Sequence, residues 1–258
     1  MTTRLWDNAA ALPTRSGERL PQVAALATGE PSVAELFTFM RDAELRFETL
    51  RMRIEERSFG ARGELLVRMD ISLRHPGQAR VVTSEPTGRA VAPSDVWLSD
   101  GETVRTYSTA HRLATTRPVR NRPRGLDLKD IPGASKVYEP RTALPMETLA
   151  ELFVHPAGYC QNVLATGDCW ISGTEEVAGR EAILVDCDHP RAVEQSVDRP
   201  DYHVQIAVDR ETGVITRLVE SVRGELTRLA TVTLLDPDAR LAPSTFELEL
   251  PEGTATLY

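Results

Sequence analysis

His155, Tyr159 and Cys160 fall within one short stretch. A thiol with an imidazole nearby is the arrangement in this sequence that most resembles an activated nucleophile. It would suit a hydrolase or lyase working on an apolar substrate. The remaining histidines, His75, His111, His189 and His203, are scattered singly. Cys160, Cys169, Cys187 and His189 make the best grouping of metal-ligating types. Structural zinc sites usually pair their ligands two to four residues apart. Here Cys187 and His189 alone are close, at a spacing that places both on one face of a strand. Glu175 and Glu176 are adjacent acids in an expected turn, where solvated charge is the default. Phosphate-loop, dinucleotide, serine-elbow and HExxH patterns are all absent from the sequence. Its two lysines, Lys129 and Lys136, sit in an irregular stretch unsuited to Schiff-base chemistry. The residue types therefore ask for no catalytic group, no metal and no cofactor, and a non-enzyme is expected.

Composition narrows the remaining classes. A formal charge of −8 over 258 residues argues against nucleic acid, whose phosphates need a basic face. Hydrophobic content of 41% and charged content of 26% suit a globular protein. The opening MTTRLWDNAAALPTRSGERLP lacks the apolar stretch of a secretory signal, and no run is long enough for a transmembrane helix. A cytoplasmic location is expected, or a periplasmic or extracellular one if the start is mis-assigned. Three cysteines in an unexported chain read as reduced thiols. A Cys160–Cys169 bridge closing YCQNVLATGDCW is the alternative in an oxidising compartment.

The elements follow from periodicity. Residues 1–30 read as a poorly ordered arm, and residues 31–258 as a single domain. Val33, Leu36, Phe37, Met40, Ala43, Leu45 and Phe47 recur at helical spacing, and Ser32 ahead of Glu35 forms a capping box. The period then changes to two. Met52 and Ile54, followed by Leu65, Val67, Met69, Ile71 and Leu73, give a strand pair with one dry face. QARVVTSEP is a third strand, and VWLSDGETVRTYS is a hairpin about Asp100-Gly101, with Val104 on its second arm. Residues 117–168 form a basic, proline-rich loop and a helical insert broken at Pro156. Ile183, Val185, Ile206 and Val208 then mark the apolar rows of the closing strands. About ten or eleven antiparallel strands are expected, in a sandwich or a curved, partly closed barrel.

Three stretches, in order, carry a family resemblance. LSDGETVRTY resembles the hairpin of the LolA/LolB-like lipoprotein-localisation family, in which a strand ends in S-D-G and its partner in an aromatic. GELLVRMDISLRHPGQARV resembles that family's G-x-L…R-P strand pair. HVQIAVDRETGVITRLVES with LLDPDARLAPSTFELELPEGTATLY resembles its closing strands and F-x-F-x-P-x-G ending. The resemblance covers residues 33–258. It implies a mainly β half-barrel: a bent, unclosed antiparallel sheet whose concave face is covered by an N-terminal helix and a mid-chain helical lid. Members bind acyl chains of lipoproteins or other lipids in the hollow. Relatives of the fold include periplasmic regulators of stress-response sigma factors. At the family's lid-latching arginine this sequence carries His75, beside Arg74.

The expected function is thus non-enzymatic binding of a lipid or apolar small molecule, with a membrane-associated or lipoprotein partner conceivable. Each methylene moved from water into such a hollow is worth about 0.8 kcal/mol, so a long acyl chain gains on the order of 10 kcal/mol before ordering costs. The expected walls are Met52, Ile54, Leu65, Val67, Met69, Ile71, Leu73, Val104, Ile183, Val185, Ile206 and Val208, with Trp97, Phe153 and Trp170 at rim or lid. The same apolar rows would equally serve a filled core. The alternative function is a regulatory, protein-binding module, for which the basic stretch Arg117–Arg124 is the motive.

Overall fold

The computed structural model describes residues 23, 25–61, 63–86, 94–119, 140–190 and 201–257. Ser32 and Glu35 start the first helix as the spacing predicts. The Ser32 N–H donates to Glu35 Oε2 (2.8 Å), and the Glu35 N–H donates back to Ser32 Oγ (3.3 Å). Helix α1 (Val33–Arg41) then buries Leu36, Phe37, Phe39 and Met40.

Twelve strands form one sheet. They are β1 (Thr49–Gly60), β2 (Gly63–Arg74), β3 (Gln78–Ser84), β4 (Ser94–Asp100), β5 (Thr103–Ser108), β6 (Leu113–Pro118), β7 (Asp168–Val177), β8 (Arg180–Asp188), β9 (Tyr202–Asp209), β10 (Ile215–Val222), β11 (Glu225–Pro237) and β12 (Ala255–Leu257). The spatial order is β12-β6-β5-β4-β3-β2-β1-β11-β10-β9-β8-β7, so the chain lays down two antiparallel runs that meet where β1 pairs with β11. Two short helices, α2 (Leu149–Val154) and α3 (Ala157–Asn162), connect the runs. The sequence expectation of ten or eleven antiparallel strands misses β12. It is three residues long and pairs parallel to β6, after Pro251 and Gly253 have turned the chain. So short a strand carries no readable alternation.

The sheet is not closed, but it curls. Flat strands spaced about 4.8 Å apart would hold β7 roughly 19 Å from β11, with three strands between them. Instead, Cα atoms of the two strands approach within 8 Å. One face carries the continuous apolar rows: Leu50, Met52 and Ile54 of β1, opposite Leu73, Ile71 and Met69 of β2. These rows continue through Ile183 and Val185 of β8 to Ile206 and Val208 of β9. This inner face and the three helices make the main core. A smaller cluster, Val96, Tyr107 and Ala114, lies on the other face and is capped by Leu248 of the C-terminal segment. Arg74 and Arg80 hold that segment in place. The Arg74 guanidinium donates to the Leu241 carbonyl and lies over the Phe246 ring, and Arg80 donates to the carbonyls of Thr245 and Glu247.

The S-D-G hairpin explains itself here. Asp100 Oδ1 accepts from the N–H groups of Glu102 (2.9 Å) and Thr103 (2.7 Å), which fixes the β4–β5 turn. Gly101 and Gly77, in the β2–β3 turn, both have positive φ. A Cβ on Gly77 would lie 2.8 Å from Gly101 Cα. The two turns touch backbone to backbone, so neither tolerates a side chain. Gly77→Ala is expected to cost about 1–3 kcal/mol. Gly60→Ala, where a Cβ meets nothing within 4 Å, should be close to neutral. Denaturant midpoints of the two variants check the contrast.

Candidate binding site

The helical cover is built from short pieces with firm local starts. Thr148 caps α2, its hydroxyl accepting from the Glu151 N–H (3.4 Å). Pro156 ends that helix and opens α3. Helix α1 packs against α3 and β7, and α2 packs against β10. At the α1–α3 contact, Cys160 Sγ lies 3.6 Å from Met40 Sδ.

Most of the predicted wall lies under this cover. Met52, Ile54, Met69, Ile71, Leu73, Val104, Phe153, Ile183, Val185, Ile206 and Val208 are all buried. All of these except Val104 belong to the main core, and Val67 is partly buried against it. The rows are thus filled by the chain's own helices over much of their length. Leu65, 49% exposed, lies at the end of β2 near the hairpin turn. Trp170, 43% exposed, sits in the β7 row with Asp186 and contacts His203, away from the lid.

Two hollows remain beside α2. One, about 340 Å³, is a trough over the first run of strands, floored by Met69, Val81, Trp97 and Thr106 and bordered by Pro145 and Thr148. The other, about 650 Å³, lies among the three helices and the ends of β9–β11. Its walls include Met40, Leu149, Leu152, Val154, Ala157 and Val163, and its sheet side is Tyr202, Glu220 and Arg228. Both volumes suit small-molecule sites of about 300–1,000 Å³. Thr148, the N-cap of α2, lines both.

The sheet side of the larger hollow went unpredicted, yet its signal is in the strands. The inward alternation turns polar near one end: Glu56 follows Ile54, Arg228 precedes Ala230, Glu220 follows Leu218 and Tyr202 precedes Val204. These residues bond to one another. The Tyr202 hydroxyl donates to Glu220 Oε1 (2.9 Å), and Arg228 Nε donates to Glu56 Oε1 (2.6 Å). Tyr159 Oη is buried and has no hydrogen-bond partner among the described residues. Burial pushes its pKa well above the ordinary range, with Tyr202 and Glu220 adding to the effect, so the hydroxyl keeps its proton. An orphaned buried donor costs about 1–3 kcal/mol.

His155 and Cys160 do not act as a pair. Cys160 is wholly buried, and burial raises its thiol far above the usual range, so it stays protonated and a poor nucleophile. The His155 ring instead donates from Nε2 to the Thr142 carbonyl (2.9 Å), and its Nδ1 lies 3.3 Å from Glu44 Oε2. The bridge considered for Cys160 and Cys169 is absent too. All three cysteines are free thiols, and Cys169 faces Cys187.

The two residues at the latch position point to different places. Arg74 goes to the C-terminal segment. His75 is buried, stacks on Phe47, and places Nδ1 2.8 Å from Thr142 Oγ1, just ahead of the lid. Thr142 Oγ1 also accepts from the Gly77 N–H (2.8 Å), which ties the His75 contact to the β2–β3 turn. Glu44, His155, Thr142 and His75 thus form a polar chain from the end of α1 to the β2–β3 turn. The basic stretch that motivated the protein-binding alternative lies outside the described residues from 120 onward, as do residues 1–22 of the expected arm.

No protein-family model and no curated protein matches the chain. Solved structures do. The MucA/MucB complex of Pseudomonas aeruginosa is matched at 15% identity and TM-score 0.48, covering 84% of this chain and 61% of that one. A LolA superfamily protein from Nitrosomonas europaea is matched at 10% identity and TM-score 0.33, covering 85% and 99%. A putative outer membrane lipoprotein-sorting protein domain from Vibrio parahaemolyticus is matched at 10% identity and TM-score 0.33, covering 83% and 97%. The chain thus spans less than two thirds of the MucB structure. The unclosed, curled, largely antiparallel sheet under an N-terminal helix and a mid-chain helical pair is the architecture that the resemblance implies. The cytoplasmic placement is corrected by the same comparison, since its neighbours include the outer-membrane lipoprotein-sorting domain. That placement rested on the first residues of the chain, which do not decide a compartment.

The polar chain predicts a specific pH response. Burial pushes the Glu44 carboxyl up from 4.5 to about 7, against the pull of the Arg141 N–H and charge. Burial also pushes His75 down from 6.5 to about 3, and the charges of Arg141 and His155 act the same way. Glu44 holds its proton more tightly when folded, so its stabilisation is present at low pH and lost as pH rises from 4.5 to about 7. The His75 contribution has the opposite sign: present above 6.5, lost as pH falls toward 3. Between 4.5 and 6.5 the two slopes oppose each other. Glu44→Gln removes one of them. Its stability relative to wild type should therefore improve with pH across that window by up to about 1.4 kcal/mol per unit. Urea denaturation of both proteins at the two ends of the window reads the difference.

Proposed function

We propose that the protein is a non-enzymatic binder of a lipid or similar amphipathic ligand, held in the larger hollow between the helices and the sheet. One observation carries this reading: a hollow of about 650 Å³, more apolar than polar, lined at its sheet end by Tyr159, whose hydroxyl is buried without a hydrogen-bond partner among the described residues. The tail lies among Met40, Leu149, Leu152 and Val163, where each methylene gains about 0.8 kcal/mol. The ligand's polar atom accepts from Tyr159 Oη beside Tyr202 and Glu220, removing the cost of the orphaned donor. The trough floored by Met69 and Trp97 gives a long chain a second place to lie. A core filled by the chain's own helices fits this reading, because the guest occupies the lid layer and leaves the strand rows covered.

Gly158 is the residue to test. It lines the hollow, and a Cβ there meets nothing within 4 Å. Gly158→Trp should fill the cavity from a position that has room, lowering affinity for a fluorescent fatty-acid probe at least tenfold with the unfolding midpoint kept. Gly158→Ala should keep binding and gain about 0.5 kcal/mol of stability from the helix. Solvent extraction of the purified wild-type protein should release a lipid detectable by mass spectrometry. An empty extract, with no saturable probe binding, would refute the proposal.

A further inference from the structure

We infer that Cys169 and Cys187 are a site of reversible disulfide formation, and that the bond fastens the last strand of the sheet to its neighbour beneath the lid. The two residues are direct cross-strand partners in the β7–β8 pair. Their sulfurs are 3.0 Å apart, already inside ordinary van der Waals contact and about 1 Å from a covalent bond. Closing that gap needs side-chain rotation but no change of register. Cys169 is half-buried and Cys187 fully buried, so one sulfur is reachable from solvent and the other lies behind it.

The surroundings accommodate both states. As thiols, Cys169 and Cys187 both lie within hydrogen-bond reach of the Leu164 carbonyl, at 3.1 and 3.5 Å. Oxidation removes both donors, yet the carbonyl keeps the Gly167 N–H at 3.0 Å. No buried acceptor is therefore stranded by the bond. The site is also kept clear at close quarters, since a Cβ on Gly167 would lie 2.8 Å from Cys187 Sγ. The order of reaction follows from exposure and from the contact between the sulfurs, which holds the pKa of the half-buried Cys169 down and pushes that of the buried Cys187 up. Cys169 is the attacking thiolate and Cys187 the resolving thiol.

The co-reactant is a small disulfide. Cys169 attacks one of its sulfurs, forming a mixed disulfide and expelling one small thiol. Cys187, giving up its proton, then attacks Cys169 Sγ and expels the second. Two protein thiols and one disulfide become one protein disulfide and two small thiols. Cys160 takes no part, being engaged with Met40 at the α1–α3 contact.

Trypsin separates the possibilities. Cys160 and Cys169 share the peptide 142–180, and Cys187 lies in 181–191. After incubation of the full chain with oxidised glutathione, acid quenching and alkylation in denaturant, one of the three thiols should remain alkylatable. The intact mass should fall by two hydrogens, and a non-reducing digest should contain 142–180 joined to 181–191. The joined species should persist in Cys160→Ser and vanish in both Cys169→Ser and Cys187→Ser. Three alkylatable thiols, a glutathione adduct that remains on Cys169, or a bridge closed within 142–180 would each overturn the assignment.

Discussion

A sheet of twelve strands with one apolar face must cover that face, and the described residues supply three short α-helices with which to do it. The helices meet the sheet on the β7–β11 run, α1 against β7 and α2 against β10, and bring Phe39, Met40, Leu149 and Phe153 into the core. They do not pack on one another without gaps. Two hollows are left beside α2, and one lies wholly within the helical layer and its contact with the strand ends. The space that could hold a guest is thus a by-product of covering a large sheet with few helices.

Polarity is distributed to match. Deep in the rows, the inward positions are Ile, Val and Leu with no accessible surface, and a hydrocarbon environment there is fully occupied by the chain itself. Toward one end the same positions become Glu56, Arg228, Glu220 and Tyr202, bonded into a network that holds its own charges. The exception is the Tyr159 hydroxyl. It is buried without a hydrogen-bond partner among the described residues, a cost that the proposed ligand would relieve.

How much of this could be read from the sequence depended on whether the signal was local. The capping box at Ser32, the alternation of β2, the Asp100-Gly101 turn and the break at Pro156 each act over a few residues, and each appears where the periodicity places it. The wall residues were harder. Alternation tells which face Ile183 or Val208 points to, but whether that face meets a helix or a hollow depends on segments far along the chain. The neighbour of Cys169 was hidden for the same reason: Cys160 is nearer in sequence, whereas Cys187 is directly opposite across a strand register that only the β7–β8 turn fixes. His75 and Arg74 are neighbours that a motif cannot separate, yet strand alternation sends one toward the lid and the other to the C-terminal segment.

The order of the strands leaves the two margins of the sheet unequal. At one margin β12, three residues long and parallel, lies along β6, so little unpaired main chain is left for another molecule to read. At the other, β7 offers ten residues hydrogen-bonded along one side, with exposed and half-buried positions alternating as in a strand awaiting a neighbour. Among the described residues β7 is therefore the longer open edge for association by strand addition, and Cys169 stands on it.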